Sequence, residues 1–248
     1  MFSLALETND KHGQGHAQNY LGQIATQLGQ FDTSSGYFNR AMAIYQEIND
    51  QRSIGHVHLN RSILALFNEK PSMALTYAKA ALEHTEKWHD PPTQGTAWFV
   101  AGQASIALQN FVESESALKE AERIFTDLEA TKSLMEVLAG FARLHLMQNQ
   151  PTLARKRIAP VLEHLAPVFN APQPEEHQLF GAKHPFLVYI TCFYVLKAVK
   201  DDRAAQVIDT TRYLLTHIAE KIQDDTLWHS YLENIRSHAE IMKLGALN

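Results

Sequence analysis

The sequence predicts an all-α solenoid of about five helix hairpins stacked in register, with flanking helices. Three observations predict it. ETNDKHGQGH (7–16) and EINDQRSIGH (47–56) repeat Glu, Asn, Asp, Gly and His at an offset of 40, and Asp90 and Gly95 continue the series one period later. The small residues Ser34, Ala74, Ser114 and Ala154 keep the same spacing of 40, as expected where paired rods must touch. Only 11 Gly and 9 Pro occur in 248 residues, and alternating β-branched runs are few, which favours helix throughout.

In chain order, residues 1–11 read as the tail helix of a preceding unit, matching 41–50 and suggesting a chain cut from a longer protein. Four units follow at 12–50, 51–90, 91–130 and 131–168. Leu21, Gly22 and Ala25 face inward on the first helix, and Phe38, Ala41 and Ile44 on the second. Pro71 and Pro151 suit first helical positions, where a missing N–H costs nothing. Pro91-Pro92 mark a loop, and Pro160 should kink or break the helix that holds it. Residues 169–185 break the period as an irregular loop, with a short helix around 175–180. A fifth unit covers 186–223, with Cys192 and Ala204 at its small-residue positions. A closing helix over about 225–243, capped near Asp224-Asp225-Thr226, covers the end of the stack. The whole chain, 1–248, reads as one domain.

The stretch GTAWFVAGQASIALQNFVESESALKEAERIFTDL (95–128) places Trp98, Gly102, Ser114, Leu118 and Ala121 at the helix–turn–helix spacing of a tetratricopeptide repeat. The 40-residue period, the stretch 184–208 and SYLENIRSHAEI (230–241) resemble the repeats of large bacterial signal-transduction proteins. These include the C-terminal regions of maltose-activator-like transcription regulators and related multidomain ATPases. The resemblance implies a sensory or assembly arm that binds a partner protein or an inducer. The nucleotide switch of those proteins is not encoded, since no G-x4-GK-[ST] occurs.

Composition narrows the function. Lys and Arg total 22 against 27 Asp and Glu, so a phosphate-binding basic face is not expected, nor contact with nucleic acid. No apolar run approaches the roughly 20 residues of a membrane span, and no signal-peptide pattern opens the chain. The single cysteine, Cys192, excludes an intramolecular disulfide and fits a cytoplasmic protein.

In a stacked array the first helices line a concave groove. Positions 2, 5 and 9 of each unit project into it in the expected register. They form the columns His16, His56, Thr96; Asn19, Leu59, Phe99, Ala139, Tyr189; and Gln23, Ile63, Gln103, Arg143, Phe193. Amides and an arginine suit a peptide backbone, and aromatics supply anchor area. The competing reading makes them ordinary stacking residues. His12 and His16 share a helical face but lack a third ligand, so no metal is expected. Cys192 lies in the apolar run VYITCFYVL and reads as an inert packing thiol. Glu113/Glu115, Glu175/Glu176 and Asp201/Asp202 read as solvated helix starts, not acid–base pairs. No cofactor motif or catalytic constellation appears.

The leading functional reading is a non-catalytic module that binds a protein or peptide in the groove. A second is a small-molecule inducer domain whose 167–185 loop closes a pocket beside Tyr189 and Phe193. A third is self-association through the apolar end near residues 1–10.

Overall fold

A computed structural model describes residues 10–171 and 182–244. The expected tail helix at 1–9 and the short helix around 175–180 lie outside the described residues. The rest is helical: α1 (Lys11–Gln27), α2 (Phe31–Glu47), α3 (Gln51–Phe67), α4 (Pro71–Trp88), α5 (Pro91–Ala107), α6 (Phe111–Asp127), α7 (Thr131–Met147), α8 (Pro151–Phe169), α9 (Pro185–Ala198), α10 (Arg203–Ala219), α11 (Asp225–Glu233) and α12 (Arg236–Leu244). Consecutive helices pair as hairpins, and hairpins stack through their neighbours, giving the expected all-α solenoid of five units.

The 40-residue period has a simple cause. Left-handed residues stand at Gly29, Asn49, Glu69, His89, Gln109, Glu129 and Asn149, each 20 positions after the last. Every one sits in the same connection, whether within a unit or between units. The residue after each donates its N–H back across the turn, as in Gln30 to Ala25, Asp50 to Tyr45 and Asn110 to Ser105. That is the six-to-one bond of a Schellman ending, which satisfies a carbonyl the helix leaves orphaned. Short turns therefore separate helices that are mostly 17 residues long. The extra length of the period lies in the rods rather than in the loops.

Packing within each hairpin rests on the predicted small residues. Ser34, Ala74, Ser114 and Ala154 are all fully buried. Ser34 Oγ donates to the Gly22 carbonyl at 2.8 Å, and Ser114 Oγ to that of Gly102 at 3.0 Å. A Cβ on Gly102 would stand 2.8 Å from Leu118, so that glycine allows the helices their approach. The repeated Asp of the junctions caps the following helix: Asp10, Asp50 and Asp90 accept from the N–H of Gly13, Ser53 and Thr93.

Three expectations are corrected. Pro91-Pro92 open α5 behind the Asp90 cap rather than forming a loop. Pro160 does not end its helix; α8 continues through Pro160 and Pro167 to Phe169. Both prolines are exposed, as are Lys156 and Glu163, whose carbonyls lose their helical donors, so water satisfies them. The closing segment is two helices, divided at Asn234–Ile235. It packs on α9 and α10, as an end cap should, but it also returns to the first hairpin. Ser230 Oγ donates to the Leu28 carbonyl at 2.8 Å, Asn234 Nδ2 to that of Gly29 at 3.0 Å, and Gln30 Nε2 to Ser230 Oγ at 2.6 Å. The solenoid is thereby closed on itself.

Gly29 is the only glycine among the left-handed turn residues, and the closure explains it. A Cβ there would lie 2.3 Å from the Ser230 carbonyl oxygen. Gln109 has the same left-handed backbone conformation and is exposed. Gln109→Gly is expected to stabilise the chain by roughly 1 kcal/mol, by relieving left-handed strain. Gly29→Ala is expected to destabilise it and to accelerate hydrogen exchange selectively in α11 and α12. Denaturation and exchange measurements on the two variants check this; equal, small effects would count against the closure.

Candidate functional site

The structure places the predicted groove residues in line but does not leave them open. Asn19, Phe99, Gln103, Tyr189 and Phe193 are buried, and His16, His56, Gln23 and Arg143 are half-buried. The reason is lateral neighbourhood. Adjacent first helices face each other, so a polar member of a column finds a partner on the next first helix or at its cap. Asn60 Nδ2 donates to Asn19 Oδ1 at 2.9 Å, and Arg143 Nη1 meets Gln103 Oε1 at 3.4 Å. His56 Nε2 lies 2.7 Å from the carboxylate of Asp90, the cap of the next first helix, and His12 lies 3.2 Å from Asp50. His12 and His16 do stack edge to face, 4.4 Å between centroids. Burial and the neighbouring His12 lower the His16 pKa. Phe193 carries the Lys197 ammonium 5.5 Å above its ring. Tyr189 packs between Phe169 and Phe186. These residues hold the stack together.

The inner face has an occupant supplied by the chain itself. Residues 182–184 run across it just before α9. The His184 ring lies 4.5 Å from that of Phe67 and 6.2 Å from that of Phe99, in units two and three. The main-chain N–H of His184 donates to Glu136 Oε1 at 2.6 Å, and that of Lys183 bonds the same carboxylate. Glu136 on α7 is thus a buried acceptor that anchors the segment. Sequence reasoning missed it because an acidic residue on the inward face of a helix looks like an exception to the pattern. The only available signal was the break in period that follows.

Beside this segment lies a cleft of about 1010 Å³. Its apolar lining comes from both ends of the chain: Ile24 and Leu28 of the first hairpin, Phe67 of α3, Leu214 and Ile218 of α10, and Ile222. Phe186, Tyr231 and His238 add to it from α9, α11 and α12. Lys132, Lys183 and Lys221 stand exposed around it. The cleft exists because α11 and α12 return to the turn at Gly29, so it could not be read from the repeat alone. A smaller hollow of about 10 Å³, room for a single water, has Gln103, Glu136, Arg143 and His184 among its lining residues.

Comparison with family models and with curated proteins finds no match. The site must therefore be read from its own chemistry. Among the described residues no three His, Cys, Asp or Glu side chains gather as metal ligands. No described helix is long and apolar enough to cross a membrane. Cys192 is fully buried, and burial pushes its thiol pKa far up, so it is not poised as a nucleophile.

The buried titratable groups pull stability in opposite directions. Burial raises the Glu136 carboxyl to about 7, although the two N–H donors favour its charged form. A carboxyl raised above its unfolded value of roughly 4.3 contributes stability below that value and loses it as pH rises through the folded one. Burial lowers His184 to about 3 and His238 to about 4. Each contributes stability above its unfolded value of roughly 6.5 and loses it as pH falls. Acidification from pH 7 to 4 is therefore expected to destabilise the protein, the two histidines outweighing one carboxyl. Relative to the wild type, Glu136→Gln should gain roughly 2–3 kcal/mol between pH 5 and 8. Urea melts of both proteins across that range check it; parallel profiles would remove Glu136 as the group responsible.

Proposed function

We infer that the chain is a non-catalytic binding module whose ligand enters the cleft between the two ends of the closed solenoid. The observation that carries this reading is the cleft itself. It is concave, mostly apolar, of ligand size, and walled by elements from units one, two, four and five. The resemblance to the repeat arms of bacterial signalling proteins supports a sensory role, and the small-molecule reading of the sequence fits this geometry best. The irregular segment ends at residues 182–184, which form one wall of the cleft. A peptide in the inner groove draws less support, because the polar columns bond one another and residues 182–184 cover part of that face.

Filling the cleft tests the proposal. Ile218 is half-buried in its lining, so Ile218→Trp adds bulk there without opening the core. Thermal-shift screening of a metabolite panel and a peptide library against the wild type should yield small-molecule hits. Ile218→Trp should abolish their shifts while retaining the native melting profile. A peptide hit that survives Ile218→Trp would transfer the function to another face, and a substrate consumed during the assay would make the module an enzyme.

A further inference from the structure

We propose that the cleft binds an amphipathic anion: a long aliphatic body ending in a carboxylate or phosphate. This rests on the cleft being the ligand site and adds the class of ligand. The chain as a whole is acidic, with 27 Asp and Glu against 22 Lys and Arg. Yet no Asp or Glu lines the cleft among the described residues, while Lys132, Lys183 and Lys221 do. His217, also in the lining, has Nδ1 3.8 Å from Glu220 and is left out of that balance. The three lysines are exposed and come from α7, the inner segment and the turn after α10. Their convergence is a product of the closed fold, not of a local basic run.

The lining behind them is the wrong surface for a small polar anion. Ile24, Leu28, Phe67, Leu214, Ile218 and Ile222 would leave a phosphate or a dicarboxylate desolvated without partners. They suit a chain of methylenes, each contributing about 0.8 kcal/mol when buried. His184 and His238 in the lining do not supply countercharge, since burial holds both neutral. His238 Nδ1 is already bonded to the Tyr231 carbonyl at 2.8 Å. His184 Nε2 is buried with no hydrogen-bond partner among the described residues. An apolar body is thus held among the helices, and its charged head lies at the ring of ammonium groups.

The test is calorimetric titration of the full chain with four probes kept below their micelle concentrations: dodecanoate, dodecyl phosphate, dodecanol and hexanoate. At least one of the two long anions should bind, and the tighter of them names the head group. Dodecanol should bind about tenfold more weakly for want of a charge-assisted contact. Hexanoate should bind at least about a hundredfold more weakly for want of the tail. Lys183→Gln combined with Lys221→Gln changes only exposed side chains; it should weaken the long anion about tenfold and leave dodecanol unchanged. Dodecanol binding as tightly as dodecanoate, or anion binding indifferent to the double substitution, would overturn the proposal. If the neutral probe binds and Ile218→Trp abolishes it, the cleft remains the site and only the ligand class falls. If no probe binds, or binding ignores Ile218→Trp, the ligand class falls, and the metabolite screen decides separately whether the cleft is a site.

Discussion

One turn, repeated, governs this molecule. A left-handed residue followed by an N–H bonded back to the carbonyl five residues earlier ends helix after helix at intervals of 20. Because the connection within a hairpin is the same as that between hairpins, neither can drift in length. The first helices of units one to four are thereby brought into one register and their second helices into another. The small residues recur every 40 positions because the backbone offers the same close approach once per hairpin. Most of these turns carry Asn, Glu, Gln or His in a conformation that favours glycine, a local cost offset by the stacking it permits.

Strict register decides what the inner face can do. When the same column of each first helix lies beside its neighbour, a polar residue there finds a partner one unit away before it finds a ligand. Gln103 with Arg143 is such a rung, Asn19 reaches Asn60 one position off its column, and His56 reaches Asp90 at the cap of the next first helix. They satisfy groups whose burial would otherwise cost about 1–3 kcal/mol each. Glu136 breaks the pattern: its partners are the main-chain N–H groups of residues 183 and 184, contributed by a segment outside the repeat. An inner-face carboxylate and a break in period are two halves of one device, since each gives the other a reason to exist.

What the sequence disclosed follows the same division. Helix order, turn positions and the buried roles of Ser34, Ala74, Ser114 and Ala154 were legible because they repeat, and repetition reports packing between neighbours. The openness of the columns was not legible. Periodicity says which residues share a face but not whether that face is covered, and here lateral bonds and residues 182–184 cover it. Pro160 misled because propensity penalises its missing donor wherever it falls, whereas on a wet face water replaces the bond. The closure was the least legible feature. It joins residues about 200 positions apart through Ser230 and Asn234, neither of which has any periodic signature. Gly29 was the one clue, a glycine where every later hairpin turn holds a larger residue.

The closure is a joint of a different kind from those between successive units. Successive units are held by interfaces of buried alanine, leucine and phenylalanine, each large side chain contributing about 1.5–3 kcal/mol. The return of α11 to the first hairpin combines Leu28 and Phe31, partly buried against the C-terminal core, with three hydrogen bonds around Leu28–Gln30, each with a net contribution of about 0.5–1.5 kcal/mol. The ion pair of Arg236 with Glu69 is exposed on both sides and adds little. The cleft is walled by Ile24 and Leu28 on one side of this joint and by Ile222, Tyr231 and His238 on the other. A molecule gripped by both walls binds only the closed ring, so its binding free energy adds directly to closure, by RT ln(1 + [L]/Kd). The apolar lining and the closing joint therefore belong to one arrangement, in which a molecule held in the cleft would favour the closed solenoid.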